Sequence, residues 1–394
     1  MLTAGLVLDA RGHVLGTATP PLVMGFEPAI DVWAVAAVVA CVTAAALGPR
    51  LPVVALGPVA LVLALTINAA RVGSEGWTAA FSTSFEAANE YLPALPALAQ
   101  GPGFFLDRFA ELVPALPVHA AGHPPGLLLA LDAARLTTPG RMAALCIACA
   151  ALVPPLTFAL SRAAGTGRPR TAGLLALASP ALLLFGTTSA DAVYAALGTA
   201  AAALLVRREP LARGAGAALL AVSAFASWAL LAVGAWVAIF LWRRDGLRPA
   251  AAVAAACGSA VVAFDGALAA AWGYDPIGTL RSTEAVYRNS IAQIRPYWFW
   301  VAGSPAAFAL MAGLPLVVLA ARRASPAAVA TFSVIAVAAV AGFTKAETER
   351  IWLFLVPLLC VSAAEQLPTR RVRLVLALLL AQALACQLLF YTVW

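Results

Sequence analysis

The sequence predicts an all-α polytopic integral membrane protein with about 11–13 transmembrane helices. Of the 394 residues, 63% are hydrophobic and only 11% are charged, and the mean hydropathy is +0.92. A soluble domain carries about 25% charged residues, so this chain has too little polar surface to cover a water-soluble globule. We therefore expect one transmembrane domain over 1–394, whose net charge of +7 reflects loop arginines rather than nucleic-acid binding.

Apolar runs that approach the length of a membrane-spanning helix, about 20 residues, recur along the whole chain. They cover residues 31–48, 52–70, 124–137, 142–161, 171–187, 190–206, 214–228, 230–242, 249–272, 301–321, 326–343, 351–366 and 374–393. Several are short or interrupted, and this leaves the expected count between 11 and 13.

Arginine clusters between the runs predict the orientation, because cytoplasmic loops carry an excess of Lys and Arg. Most clusters fall on the cytoplasmic side of a cell membrane if three segments face outside. These segments are 71–122, 273–300 and 344–350. Arg162, Arg168 and Arg170 break the alternation, so either the run 124–137 does not cross completely or a later span is miscounted.

The long outer segment 71–122 is predicted to hold two amphipathic juxtamembrane helices. Its stretches "WTAAFSTSFEAANEYLPALPALA" and "FFLDRFAELVPAL" both place apolar side chains at helical spacing. Such helices lie in the membrane interface. Interfacial packing alone would also explain their aromatic residues.

Candidate polar residues occur in and after the first of these stretches. Glu86 and Glu90 are four residues apart, so on a helix they share a face. Either is a solvated side chain or a general base, and Glu90 is the stronger candidate for a base. In "HPPG", the prolines hold His123 at a helix entrance, although such a motif also marks an ordinary helix start. His119 lacks this constraint and is interpreted as a surface group.

Charged residues elsewhere complete the candidate set. Asp191 and Asp265 lie within apolar surroundings, where ionisable groups are costly and commonly functional. Asp191 could instead cap the following helix, and Asp265 could pair with an arginine. The segment "TKAETERIWLFLVP" brings an arginine to the outer interface, where its fork could bind a lipid phosphate or only reach the headgroups. We expect Arg350 to bind such a phosphate, together with Arg288 and Lys345.

Metal and nucleotide motifs are not evident. Cys146 and Cys149 form a CxxC pair inside an apolar run without neighbouring His or carboxylate residues, which favours helix packing over metal binding. The sequence contains no Walker loop, Rossmann fingerprint, zinc motif or GxSxG elbow. We expect no certain cofactor, with a divalent metal left open.

Taken in order, the span ending at Arg71, "NEYL" in the outer loop and "HPPG" before the next run resemble the GT-C superfamily of polyprenol-phosphate-sugar-dependent glycosyltransferases. The chain looks most similar to the protein O-mannosyltransferase and aminoarabinose-transferase branch, and to actinobacterial mannosyltransferase-like membrane proteins. In that branch an Asp-Glu pair followed by tyrosine opens the outer loop. Here the pair reads Asn89-Glu90, and "SPALLLFGTTSAD" and "AETERIWLFLVP" add to the resemblance.

The resemblance implies a site at the outer face that transfers a mannose- or arabinose-type sugar from a polyprenyl-phosphate donor to a cell-envelope glycan, glycolipid or protein. Glu90 would be the base, and His123 would line the site. The residues expected to hold the donor phosphate are Arg350, Arg288, Lys345 and Arg71, and the residues expected around the cavity are Tyr91, Asp191, Glu86 and Glu349. The alternatives are a lipid-carrier flippase, a small-solute transporter or a non-catalytic scaffold, because the broken runs and intramembrane aspartates would also suit a transporter.

Overall fold

The computed structural model describes residues 1–392, which are nearly all α-helical. Their α-helices are α1 Leu2–Ala10, α2 Trp33–Leu47, α3 Leu56–Val72, α4 Ala79–Ser82, α5 Pro102–Leu112, α6 Val118–Ala121, α7 Gly126–Ala133, α8 Pro139–Ala163, α9 Pro169–Ala178, α10 Pro180–Thr188, α11 Asp191–Leu205, α12 Pro210–Ala226, α13 Leu231–Asp245, α14 Leu247–Trp272, α15 Pro276–Arg288, α16 Tyr297–Ala320, α17 Pro326–Ala341, α18 Thr348–Ile351, α19 Val356–Gln366 and α20 Val372–Leu389. Two short strands, β1 Met24–Phe26 and β2 Phe390–Thr392, pair antiparallel.

Within residues 1–392, six helical stretches are long and apolar enough to cross a membrane, which is compatible with a multi-pass membrane protein. They are Trp33–Arg50, Val53–Asn89, Pro139–Ala163, Leu247–Trp272, Tyr297–Ala320 and Thr369–Leu389. The pair α9 and α10 forms a seventh candidate, bent by 59°. Four shorter apolar helices accompany them, and the last residue of the predicted run 374–393 lies outside the described residues.

Helix starts follow local chemistry that the sequence displays. Thr138 caps α8, because its side chain accepts a hydrogen bond from the Arg141 backbone N–H at 3.4 Å, and Pro139 occupies the first helical position. Ser325 caps α17 in the same way. A side-chain acceptor satisfies an N–H that the first turn leaves without an intrahelical partner, and proline has no N–H to satisfy.

One end of the helix bundle, which we call the arginine face, gathers the loops at 48–55, 162–170, 206–210, 243–248, 321–325 and 367–373. Arg168 donates to the Leu367 carbonyl and Arg170 to the Leu51 carbonyl. Arg244 donates to the carbonyls of Ala164, at 3.1 Å, and of Val206, at 3.4 Å. Arg162, Arg168 and Arg170 therefore lie at the same end as the other arginine clusters.

The apolar run 124–137 explains why counting each run as one span placed Arg162, Arg168 and Arg170 on the wrong side. Its helix, α7, has only eight residues and is too short to cross a membrane. Gly126 at its start lies against α12, where an added Cβ would stand 2.4 Å from the Phe225 carbonyl oxygen. A glycine is needed for this close approach, so "HPPG" marks a packing joint as well as a helix boundary.

The opposite end, which we call the loop face, is formed by segments 1–32, 73–138, 273–296 and 342–352. The predicted amphipathic helix in the first long stretch is wrong in detail, because α4 is followed by 3₁₀ helices over Phe85–Asn89 and Leu92–Leu98. Pro93 and Pro96 lack the N–H groups that an α-helix would need there. The second predicted helix is present as α5, which buries Phe105 and Phe109.

Two helices break in the middle of the bundle. The bend between α9 and α10 falls at Ser179, whose hydroxyl donates to the Ala312 carbonyl of α16 at 2.9 Å. Residue Gly313 in α16 has a φ of 119° and interrupts that helix at the same level. The Ser179 hydroxyl thus satisfies a carbonyl that the break in α16 releases.

Candidate functional site

The loop face contains a buried group of charged side chains, which we call the ion cluster: Glu90, His119, Asp191, Arg295, Glu347 and Arg350. All except His119 and Glu347 are at most 6% exposed. These residues come from five separate parts of the chain, so the fold assembles the cluster. Buried charges are costly unless they are paired, and here both arginines contact at least one carboxylate.

Glu90 points into the bundle because the chain turns extended after the 3₁₀ helix Phe85–Asn89, with φ −75° and ψ −179° at Glu90. Its side chain is only 1% exposed. Glu86, in contrast, is half-buried and accepts a hydrogen bond from the Asn89 side-chain amide at 2.9 Å. The expectation that the two glutamates share one helical face is wrong, because the backbone between them is not α-helical.

The role of surface group predicted for His119 is wrong. His119 lies on α6 and joins two other members of the cluster, with its Nδ1 2.9 Å from Glu90 Oε1 and its Nε2 3.4 Å from Arg350 Nη2. The Nδ1–H is not aligned as a hydrogen bond, and within residues 1–392 neither Glu90 oxygen receives an aligned donor. Glu90 is thus deeply buried and contacts His119 without an aligned hydrogen bond.

His123 lies beside this pair among aromatic rings. Its imidazole stacks on Tyr91 at a centroid distance of 6.3 Å and lies 5.3 Å from the Tyr194 ring. Burial, followed by the neighbouring His119 and Arg350 side chains, lowers the pKa of His123 to about 3. The hydroxyls of Tyr91 and Tyr194 are 2.6 Å apart, and burial raises the pKa of Tyr91 well above its ordinary value. His123 is therefore neutral at physiological pH.

Arg350 lies at the centre of the cluster. Its Nη1 donates to Asp191 Oδ2 at 2.8 Å, and its Nη2 donates to Glu347 Oε2 at 3.3 Å. Asp191 also accepts a hydrogen bond from Ser189 Oγ at 2.6 Å. Asp191 is the first residue of α11 rather than its cap, and its carboxylate faces Arg350. The sequence candidates Glu90, Asp191 and Arg350 are thus brought together by the fold.

Glu347 links the cluster to Arg295, an outer-segment arginine to which the sequence analysis assigned no role in the site. Arg295 Nη1 lies 3.0 Å from Glu347 Oε1 and also donates to the Lys345 carbonyl at 2.8 Å. Burial acts to raise the pKa of Glu347, but the Arg350 and Arg295 guanidinium groups outweigh it and lower that pKa. Glu347 has a positive φ of 60°, so this loop is held in an uncommon conformation for a non-glycine residue.

Glu349 lies next to the cluster and is fully buried. Its Oε1 accepts a hydrogen bond from the Val23 backbone N–H at 2.7 Å, while its Oε2 has no hydrogen-bond partner among residues 1–392. Burial raises the pKa of Glu349 to about 7. This glutamate therefore ties the N-terminal segment to the loop that carries Arg350.

The other predicted phosphate-binding residues have partners elsewhere. Arg288 is exposed and pairs with Glu284 at 2.6 Å, and Lys345 Nζ donates to the Ala292 carbonyl at 3.1 Å. Arg71 is buried, pairs with Glu27 at 2.8 Å and lies over the Tyr391 ring. Within residues 1–392 none of these three side chains forms a hydrogen bond or ion pair with the ion cluster, although the Lys345 backbone carbonyl accepts a hydrogen bond from Arg295. Asp265 lies half-buried in the last third of α14.

The chemistry available at the cluster is proton transfer and anion binding. A carboxylate beside an imidazole can accept a proton, and two guanidinium groups can bind an oxyanion. The described residues contain no group of three or more His, Cys, Asp or Glu side chains that could hold a metal ion.

Comparisons of the chain with protein-family models, with curated proteins and with solved structures gave no significant match.

Proposed function

We propose that the protein is a membrane glycosyltransferase of GT-C type, which moves a sugar of mannose or arabinose type from a polyprenyl-phosphate donor to a cell-envelope acceptor. The observation that carries the proposal is Glu90: a carboxylate that is 1% exposed, lacks an aligned hydrogen-bond donor within residues 1–392 and stands next to His119 and Arg350. Native proteins leave few buried polar atoms unsatisfied, and a catalytic role is one physical explanation for such an exception.

The position of the two faces supports this proposal. With α7 not crossing, we infer twelve passages between the arginine face and the loop face in residues 1–392, counting α9 and α10 as one. The arginine clusters of the arginine face, now including Arg162, Arg168 and Arg170, then fall on one side, as the positive-inside rule requires of the cytoplasmic side. In the orientation that we propose, the ion cluster faces the outside of the cell membrane, where a lipid-linked sugar would meet its acceptor.

In the proposed reaction the acceptor hydroxyl oxygen attacks the anomeric carbon of the donor sugar. A bond forms between these two atoms, the bond from the anomeric carbon to the phosphate oxygen breaks, and the proton of the hydroxyl passes to Glu90. The lipid phosphate leaves with the bonding electrons. Arg350 and Arg295 would stabilise the charge of this phosphate. To do so, one of them would release Glu347 and bind the phosphate instead.

This assignment changes the predicted set of donor-binding residues. Arg295 takes the place proposed earlier for Arg288, because it shares the buried carboxylate Glu347 with Arg350, whereas Arg288 is exposed. Lys345 contributes its backbone carbonyl to Arg295 rather than its ammonium group to the cluster.

A second candidate, transport of a lipid carrier or small solute, is favoured by the breaks at Ser179 and Gly313. Discontinuous helices at the middle of a bundle are typical of binding sites in secondary transporters. Here the Ser179 hydroxyl donates to the Ala312 carbonyl across the break. The buried Arg350–Asp191 ion pair lies at the loop face rather than beside the break. The glycosyltransferase therefore accounts for more of the charged residues.

The experiment is a single-turnover assay of purified protein with a panel of radiolabelled polyprenyl-phosphate sugars and envelope acceptors. We expect Glu90→Gln to keep the shape of the side chain and lower turnover by about 10²–10⁴-fold, the usual contribution of a positioned base, while donor binding remains. Glu86→Gln is the matched control and should stay near wild type.

Normal turnover in Glu90→Gln would contradict the assignment of the base. Absence of transfer from every donor, together with movement of labelled lipid carrier or solute across proteoliposomes that depends on the protein, would instead establish the transporter.

A further inference from the structure

A cavity of about 750 Å³ opens on the arginine face, far from the ion cluster. It lies where the ends of α8, α11 and α13 meet. Its polar lining includes Arg162, Arg207, Arg208, Glu209 and Arg244. Its volume is within the range of sites that hold small molecules, about 300–1,000 Å³.

The arginines of this cavity differ in how far they are neutralised. Arg244 binds Asp245 through two hydrogen bonds, at 3.0 and 2.6 Å, and Arg208 lies 3.5 Å from the same carboxylate. In contrast, no carboxylate of residues 1–392 lies within ion-pairing distance of Arg162 or Arg207. Four arginines thus face two carboxylates, Glu209 and Asp245, which leaves the cavity positively charged.

Arg244 also neutralises the partial negative charge of two helix C-termini, which would otherwise repel an anion. The ends of α8 and α11 direct carbonyl groups toward the cavity, and such helix C-termini carry partial negative charge. The Arg244 guanidinium donates to the carbonyls of Ala164 and Val206 just beyond these ends. Arg162 and Arg207 are therefore left available for an external anion.

The remaining wall of the cavity is apolar. It is formed by Phe158, Ala159, Ala163, Ala164, Gly165 and Val206. A cavity with a charged rim and an apolar wall suits an amphiphile whose phosphate binds the arginines and whose hydrocarbon part lies against α8. Basic pockets between transmembrane helices on the cytoplasmic side commonly bind anionic lipid headgroups.

We propose that this cavity is a binding site for the phosphate headgroup of an anionic phospholipid, held by Arg162 and Arg207. The site is separate from the proposed catalytic cluster and does not depend on the proposed function. The shared chemistry is that of a phosphate ester, so a soluble phosphate is the competing source, and the apolar wall favours the lipid.

Native mass spectrometry of the purified full chain tests the proposal with three probes: dioleoyl phosphatidylglycerol, dioleoyl phosphatidylcholine and inorganic phosphate. We expect the wild type to retain phosphatidylglycerol at least tenfold better than phosphatidylcholine. At about fivefold for each arginine near an anionic headgroup, the double variant Arg162→Gln/Arg207→Gln should lose affinity for phosphatidylglycerol by roughly 25-fold.

The matched control is Arg370→Gln/Arg371→Gln, which removes the same charge from the same face outside the cavity lining. It should bind phosphatidylglycerol within about twofold of wild type. Neither arginine lines the cavity, so neither should contribute the roughly fivefold effect expected of an arginine that contacts the headgroup. Equal losses in both double variants would overturn the proposal, because they would show only diffuse surface charge. It would also be overturned by no loss in the cavity variant, or by inorganic phosphate displacing the lipid at equal concentration.

Discussion

Replacing Glu349 with glutamine should change how the stability of the protein depends on pH. Glu349 is fully buried, and only one of its oxygens accepts a hydrogen bond, from Val23. Burial disfavours the charged carboxylate and raises the pKa of Glu349 to about 7. The variant Glu349→Gln keeps an oxygen for the Val23 N–H and removes the titrating group.

The size of the effect follows from linkage between proton binding and folding. Between an ordinary pKa of 4.5 and the folded value of about 7, the folded state binds the proton and the unfolded state releases it. The contribution of Glu349 to stability is therefore fully present below pH 4.5 and is lost as the pH rises through 7. The total loss corresponds to about 3 kcal/mol, at about 1.4 kcal/mol per tenfold change.

The assay is thermal unfolding in detergent, followed by tryptophan fluorescence from pH 4.5 to 8.5. The difference in Tm between Glu349→Gln and wild type should shift in favour of the variant by about 3–4 °C across this range, using ~2 cal/mol/K per residue. Glu75→Gln, which removes an exposed carboxylate, serves as the control and should follow wild type. A pH-independent difference for Glu349→Gln would refute the reasoning, because it would mean that Glu349 is already ionised or neutral throughout.

Three further predictions test the cluster, the orientation and the packing. Arg350→Ala removes the cationic partner of the buried Asp191 carboxylate. It should lower the free energy of unfolding by about 3–5 kcal/mol as well as weaken donor binding, whereas Arg350→Lys should restore part of both. Unchanged melting and binding would show that Arg350 only anchors headgroups. A cysteine at the exposed position Ser82 should react with an impermeant maleimide added to intact cells, and labelling only from the cytoplasmic side would reverse the topology. Gly126→Ala should cost about 1–3 kcal/mol through its clash with the neighbouring helix, measured as a lower Tm than Gly140→Ala, whose added methyl group meets no atom within 4 Å.

The sequence was sufficient to predict the helical membrane-type fold, because the apolar composition and run lengths carry that information directly. It could not predict the behaviour of the run 124–137. Hydropathy reports that these residues are apolar, but not that their helix ends at Ala133 after eight residues. The arginine contacts at Ala164, Leu367 and Leu51 resolve the alternation that counting left open.

The candidate site was predictable where a residue was unusual for its surroundings. Asp191 and Arg350 are charged residues beside apolar runs, and their pairing at 2.8 Å joins positions far apart in the sequence. His119 and Arg295 were not selected, because a polar loop residue gives no local signal of burial. The spacing "HAAGH" was visible, but only the fold shows that His119, four residues before His123, is the one that contacts Glu90.

The hydrogen bond between Val23 and Glu349 has a consequence for the order in which the protein is made. The two residues are separated by 326 positions in the sequence. Strand β1 likewise pairs with a distant segment, β2 at Phe390–Thr392. Residues 1–32 are synthesised before their partners Glu349 and β2. They therefore lack these contacts until the helices between them, α2 to α17, have been synthesised. Completion of the Arg350 loop is thus a late event in biogenesis, and a nascent chain arrested before residue 349 should leave the N-terminal segment open to protease.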